Sequence, residues 1–111
     1  MIEKSDVGMR IFSSSVPVIK EALEYASMGL IPAGAYRNEK YRESFVKKES
    51  GVSDDIMKIL FDPQTSGGLM IALPSDQAGR LLKMLKGAGI TDAAIIGEIT
   101  KDHPGRIMVK N

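Results

Sequence analysis

Residues 68–100, GLMIALPSDQAGRLLKMLKGAGITDAAIIGEIT, change hydrophobic period twice, and that change decides the fold class. "GLMIALP" is a near-continuous apolar run closed by Pro74, which predicts a buried strand. Ser75 then stands as an N-cap. Ala78, Leu81, Leu82, Leu85 and Ala88 follow the i, i+3, i+4, i+7 spacing of a helix, and Gly87 and Gly89 mark its end. "AAIIGEIT" returns to strand character. "KDHPG" at 101–105 reads as a turn, with "RIMVK" pairing back as the last strand of a hairpin.

Working outward toward the N-terminus, Val7, Met9 and Ile11 alternate with Gly8, Arg10 and Phe12, a period of two that predicts a strand. Ser15 is the expected N-cap of a helix carrying Pro17 in its first turn, where a missing N–H costs little. Ile19, Ala22, Leu23 and Ala26 share a face of that helix, and Gly29 is its expected C-cap. From Leu30 to Val52 the pattern dissolves. A connection this long in a small domain is functional, disordered or covertly structured, and "SFVKK" within it is the one candidate strand. Ser53, with Asp54 and Asp55 behind it, caps a short helix through Ile56, Met57, Ile59 and Leu60. The order is strand, helix, long connection with a short helix, strand, helix, strand, strand. It predicts an α/β chain of the α+β kind, a two-layer sandwich of ferredoxin-like type with helices on one face of the sheet.

Composition narrows the function. The 111 residues make one domain with little core to spare. Three phenylalanines, three tyrosines and no tryptophan leave the core to aliphatic residues and methionine, with Met57, Met70, Met84 and Met108 as gap-fillers. Fifteen basic and fourteen acidic residues give a net charge of +1, so there is no electrostatic case for nucleic acid or an anionic membrane. The absence of cysteine excludes a disulfide framework, a thiolate metal site and a cysteine nucleophile within these residues. The charged start "MIEKSDVGMR" is unlike a signal peptide, and no apolar run nears the ~20 residues of a membrane span. A soluble, cytoplasmic protein is expected.

The stretch most able to hold a ligand is "LFDPQTSGG", residues 60–68. Pro63 disfavours helical backbone at Asp62 and stops the preceding helix. Gln64, Thr65 and Ser66 offer amide and hydroxyl groups. Gly67 and Gly68 permit positive φ and the close approach of an anion to a nest of N–H groups. A plain turn explains the same residues, and on spacing alone it outweighs the anion site, because no Walker-type lysine is present and no helix starts after the glycines. "PAGAYRNEKY" is a second candidate through Tyr36, Arg37 and Asn38, with a solvated loop as the heavier reading. His103 sits in a turn and is expected to be exposed and idle. Asp54 and Asp55 are better explained by helix capping than by a metal, and Glu21 and Glu24 by the polar face of a helix. No nucleophile–base–acid set is visible.

The words "VPVIKEALEYASMGLIPAGAYRN", "LFDPQTSGGLMIALP" and "AAIIGEIT", in that order, are more specific than their spacing. Together they make the chain resemble, from Val7 to Val109, the C-terminal domain of selenophosphate synthetase (selenide, water dikinase), in the aminoimidazole ribonucleotide synthetase superfamily. The resemblance implies a ferredoxin-like C-terminal domain lacking its first helix, with residues 1–111 as one domain and the N-terminal ATP-binding catalytic domain absent. It implies an enzyme that makes selenophosphate from selenide, ATP and water, releasing AMP and phosphate. The family's cysteine or selenocysteine, lysine, glycine-rich segment and magnesium-binding aspartates lie in that N-terminal half, as does its dimer contact, and none can be placed here. The chain alone is therefore expected to be inactive, to carry no catalytic residue and to bind no metal or cofactor, with ATP and Mg2+ held by the intact enzyme. Asp62, Gln64, Thr65, Ser66, Gly67, Gly68 and Asn38 are expected to face the cleft between the domains, beside the cofactor rather than in the catalytic step. Ala33 and Ala35 stand where the family often has glycine and a hydroxyl residue, which weakens any ligand contact there. The expected partners are the N-terminal catalytic domain and, through an apolar strip left uncovered, a second copy of the chain. The alternative is a stand-alone binding or assembly module that pairs with a separate catalytic half.

Overall fold

A computed structural model describes residues 2–111. In chain order the elements are β1 (Gly8–Phe12), a 3-10 turn (Ser13–Ser15), α1 (Lys20–Ser27), α2 (Ala33–Arg42), β2 (Val46–Lys48), α3 (Asp54–Leu60), α4 (Ser75–Gly87), β3 (Gly97–Thr100) and β4 (Ile107–Lys110). The chain is α+β, a four-stranded mixed sheet with helices, in the order β2-β4-β1-β3. β1 is antiparallel to β3 and parallel to β4, and β2 is parallel to β4.

The final hairpin expected from "KDHPG" is split. β3 and β4 are joined by the 101–106 turn, yet β1 lies between them, with Gly8 opposite Thr100 and Met9 opposite Ile107. The turn must therefore cross over the start of β1. Gly8 is buried beneath it, and a Cβ there would sit 2.6 Å from the His103 carbonyl oxygen and closer still to that of Asp102. His103 takes φ 51° in this crossing, and the Gly105 N–H donates to the Val7 carbonyl at 2.8 Å. Arg10 ties β1 to β3 on the exposed side, pairing with Glu98 directly across the ladder at 3.0 Å and with Asp102.

Helix starts obey the expected chemistry only in part. Ser53 caps α3, its Oγ accepting from the Ile56 N–H at 3.3 Å, with Asp54 and Asp55 in the first turn. Ser15 caps nothing. It ends a 3-10 turn, and α1 begins only at Lys20, after Pro17 and an extended Ile19. Gly29 does end α1 at φ 77°, where the Leu30 N–H closes back on the Tyr25 carbonyl. Within the 30–52 connection, "SFVKK" supplies β2 as expected. The ten residues of α2 were not foreseen, because "AGAYRNEKYR" has no apolar stripe and its helix is held instead by one fully buried residue, Ala35.

The core is small and lies where α3 meets the β2–β4 end of the sheet. Val52, Met57 and Val109 are buried there, with Val46, Ile56, Leu60, Phe61 and Ile107 packed around them. The segment Gly68–Leu73, expected as a buried strand, pairs with no strand, and Leu69 is 92% exposed. α4 keeps its amphipathic pattern but buries no residue, so Met70 and Met84 are surface methionines, not core fillers. An apolar run forms a buried strand only where a neighbouring strand and a covering face meet it. The described chain offers Gly68–Leu73 neither. The surface area is 8090 Å², against roughly 6,000 Å² for a folded monomer of this mass. The radius of gyration is 14.6 Å, against about 13 Å for this length. The exposed Leu69, Met70, Ile71 and Met84 of this segment and helix contribute to the excess.

Lys48 on β2 pairs with Asp54 in the first turn of α3, and its ammonium also donates to the Val52 carbonyl at 3.1 Å. The Asp54 carboxyl is held below the ordinary aspartate value, first by the hydrogen bond it accepts from Lys48, then by the charge of that ammonium and, more weakly, of Lys58. A depressed carboxylate contributes stability that is fully present above its unfolded value and is lost as pH falls through the lowered folded value. Asp54→Asn is therefore expected to flatten the loss of stability on acidification while changing stability little at neutral pH, since the pair is well exposed. Urea titrations of both proteins across the acid range check this; curves that stay parallel would exclude the pair as the source.

Candidate functional site

The 62–68 loop leaves the C-terminal end of α3. The helix stops as its proline demands, with Phe61 at φ −97° and ψ 5° and the Asp62 N–H donating to the Ile59 carbonyl at 3.1 Å. Asp62 is half-buried; Gln64, Thr65, Ser66, Gly67 and Gly68 are exposed. Among the described residues, the side chains of Gln64, Thr65 and Ser66 meet no hydrogen-bond partner, so their donors face solvent. The Gln64 side chain folds back beside Gly67, where a Cβ would come within 3.1 Å of its Oε1.

The loop has the backbone of the plain turn, which outweighs the anion nest on spacing alone. Positive φ among the described glycines belongs to Gly29, Gly89 and Gly105, not to Gly67 or Gly68. An alternation of right- and left-handed residues, which turns successive N–H groups inward, is therefore missing. The loop also carries no Lys, Arg or His from Asp62 to Pro74. Its hydroxyls and amide can border an anion, but any neutralising cation must come from elsewhere.

Asn38 is brought to this loop by α2. It is exposed, and its Nδ2 donates to the Phe61 carbonyl oxygen at 2.9 Å, at the root of the loop. Its amide is thus engaged in holding backbone. Gly34, one turn earlier on the same face, meets Pro63, whose Cγ lies 2.5 Å from where a Cβ would stand. Sequence reading missed Gly34 because it placed the residue in a loop; the signal was an i, i+4 Gly–Asn spacing with no obvious apolar face around it. Lys58 of α3 pairs with Glu39 of α2 and lies 4.5 Å from the centroid of the Tyr36 ring.

Beside this junction, a shallow depression of about 270 Å³ opens between Glu39 of α2 and Glu43 just past its end, Val46 and Lys48 of β2, and Met57 of α3 with Phe61 at its C-cap. Its Lys48 is paired with Asp54 and its Glu39 with Lys58, while Glu43 and Lys47 line it as exposed charges of opposite sign. Among the described residues no three His, Asp or Glu side chains gather in metal-binding geometry. His103 lies exposed at the far turn, away from the loop in sequence and held in a left-handed conformation. No helix among the described residues is long and apolar enough to cross a membrane.

A mixed four-stranded sheet, a proline-broken helix and an uncharged loop feeding an uncovered apolar segment define an α+β domain whose site is a border, not a complete pocket. Residues 1–110 match the family of AIR synthase related proteins, C-terminal domain, and the chain belongs to that family. It is 46% identical over 110 residues to a selenide, water dikinase of Pelobacter propionicus, covering 99% of this chain and 32% of that protein. It is 43% identical over 109 residues to selenide, water dikinase 2 of Peptoclostridium acidaminophilum, covering 98% and 31%. A selenide, water dikinase of Clostridioides difficile shows 41% identity over 99 residues, 89% of this chain and 28% of that protein. The chain thus spans about a third of the length of the curated relatives it matches.

Proposed function

We propose that this chain is the C-terminal domain of a selenide, water dikinase, a cytoplasmic ATP-dependent phosphotransferase that makes selenophosphate from selenide, ATP and water. The observation that carries the reading is likeness along nearly the whole chain to dikinases of which it covers about a third. In this reading the catalytic groups and the ATP and Mg2+ sites belong to the N-terminal domain, and the chain alone turns over nothing. The 62–68 loop supports it chemically: hydroxyl and amide donors without a cation suit a wall closing over phosphates that are neutralised from the other side.

The surface supports the partner. The bare apolar segment Leu69–Leu73 runs into α4, and beside it an open shelf of about 540 Å³ lies among Leu73, Asp76, Gln77, Arg80, Leu81 and Met84. Apolar surface of this extent is a cost in water that a packed N-terminal domain removes, and in its absence a second copy of the chain would be drawn to it.

The test replaces the matching third of the Pelobacter propionicus relative with this chain. The pure chain is expected to release no AMP from ATP with Mg2+ and selenide, and the chimera to release AMP only when selenide is present. Selenide-dependent AMP release by the chain alone would overturn the division of labour. A folded chimera that consumes ATP without regard to selenide would overturn the assignment of substrate.

A further inference from the structure

We propose that α2 is the positioning element of the 62–68 loop, with Gly34 and Asn38 as the two residues that set the direction in which the loop leaves α3. This rests on the reading above, in which the loop borders the phosphate cleft.

The loop begins at a weak point. When α3 ends at Phe61, the Phe61 carbonyl loses the N–H that a continuing helix would bring four residues later. Pro63 stops the helix there and offers no N–H of its own. Asn38 supplies the missing donor at 2.9 Å. Pro63 then needs a wall to fix its ring, and the bare backbone of Gly34 is that wall, with the ring seated where any other residue would place its Cβ. Gly34 and Asn38 are one helical turn apart and so act on consecutive points of the same hinge. α2 is stiff enough for the task because Ala35 is fully buried and because Glu39 and Tyr36 both engage Lys58 of α3. In this arrangement Asn38 acts on the loop through the Phe61 backbone.

The experiment uses the full chain and measures backbone amide order parameters by NMR in the wild type, Asn38→Ala and Gly34→Ala. Asn38→Ala removes the donor while improving helix propensity, so it remains folded even if Gly34→Ala does not. Order parameters at Gln64–Ser66 are expected to fall from about 0.85 to below about 0.6 in Asn38→Ala, with Ile56–Ile59 of α3 unchanged. Unchanged values at Gln64–Ser66 overturn the proposal, as does an equal fall throughout α3. In the chimera, the same substitution is expected to lower kcat for AMP release about tenfold with KM for ATP moved by less than about twofold, the signature of a mispositioned wall. A loosened loop with kcat unchanged would uphold the brace and remove the loop from the cleft.

Discussion

Gly8→Ala is expected to destabilise the protein by about 3 kcal/mol and to lower its thermal midpoint by on the order of 10 °C or more. The added methyl would collide with the carbonyl oxygens of Asp102 and His103, and both are backbone atoms that no rotamer change can move. Relief requires the 101–106 turn to lift from β1, which breaks the bond from the Gly105 N–H to the Val7 carbonyl and that from the Met9 N–H to the Arg106 carbonyl. The control is Gly79→Ala in α4, where nothing lies within 4 Å of the new Cβ. There the loss of backbone freedom in the unfolded chain should stabilise by about 0.5–1 kcal/mol. Thermal and urea melts of the two variants separate a steric role for glycine from a generic propensity effect. Equal shifts in the same direction would refute the crossing.

Met57→Ala is the second large effect, about 2–4 kcal/mol, because its side chain is buried in one cluster with Val52 and Val109 and its loss leaves a cavity in a core this small. Met84→Ala should stay within about 0.5 kcal/mol of wild type, since Met84 is 62% exposed. The pair is informative because the two methionines look alike in sequence, each in a helix and each expected to fill a gap in the core. Urea midpoints at constant slope measure the difference. A Met84 variant that loses as much as Met57→Ala would mean that α4 is covered in solution.

The same pair shows what sequence can and cannot convey. Periodicity places α3, α4 and β1 well, because each carries its own cap, stripe or alternation: Ser53 for α3, the 3.6-residue stripe for α4, Met9 and Ile11 for β1. Periodicity says a face is apolar, not what covers it. "GLMIALP" therefore reads as a buried strand and stands extended and bare. α2 is the opposite case, a helix without a stripe, made by contacts at Ala35, Gly34 and Asn38 that no local pattern announces. For the site, the words around Asp62–Gly68 located the loop, and Pro63 ended α3 as its chemistry requires. The orientation of the glycines and the engagement of Asn38 with Phe61 depend on neighbours distant in the chain, so composition could not reveal them.

The split hairpin has a consequence for how the molecule comes into being. β1 finds both of its partners in β3 and β4, so this strand waits for segments made only after α4. Contacts that span nearly the whole chain are slow to form, because loop closure comes before any reward. On the ribosome, α1 to α4 would emerge while β1 has nothing to pair with, and the sheet can assemble only once β3 and β4 have also been made. Removing β4 would therefore cost β1 one of its two neighbours and β2 its single partner, leaving α3 without the strand residue Val109 that closes the core.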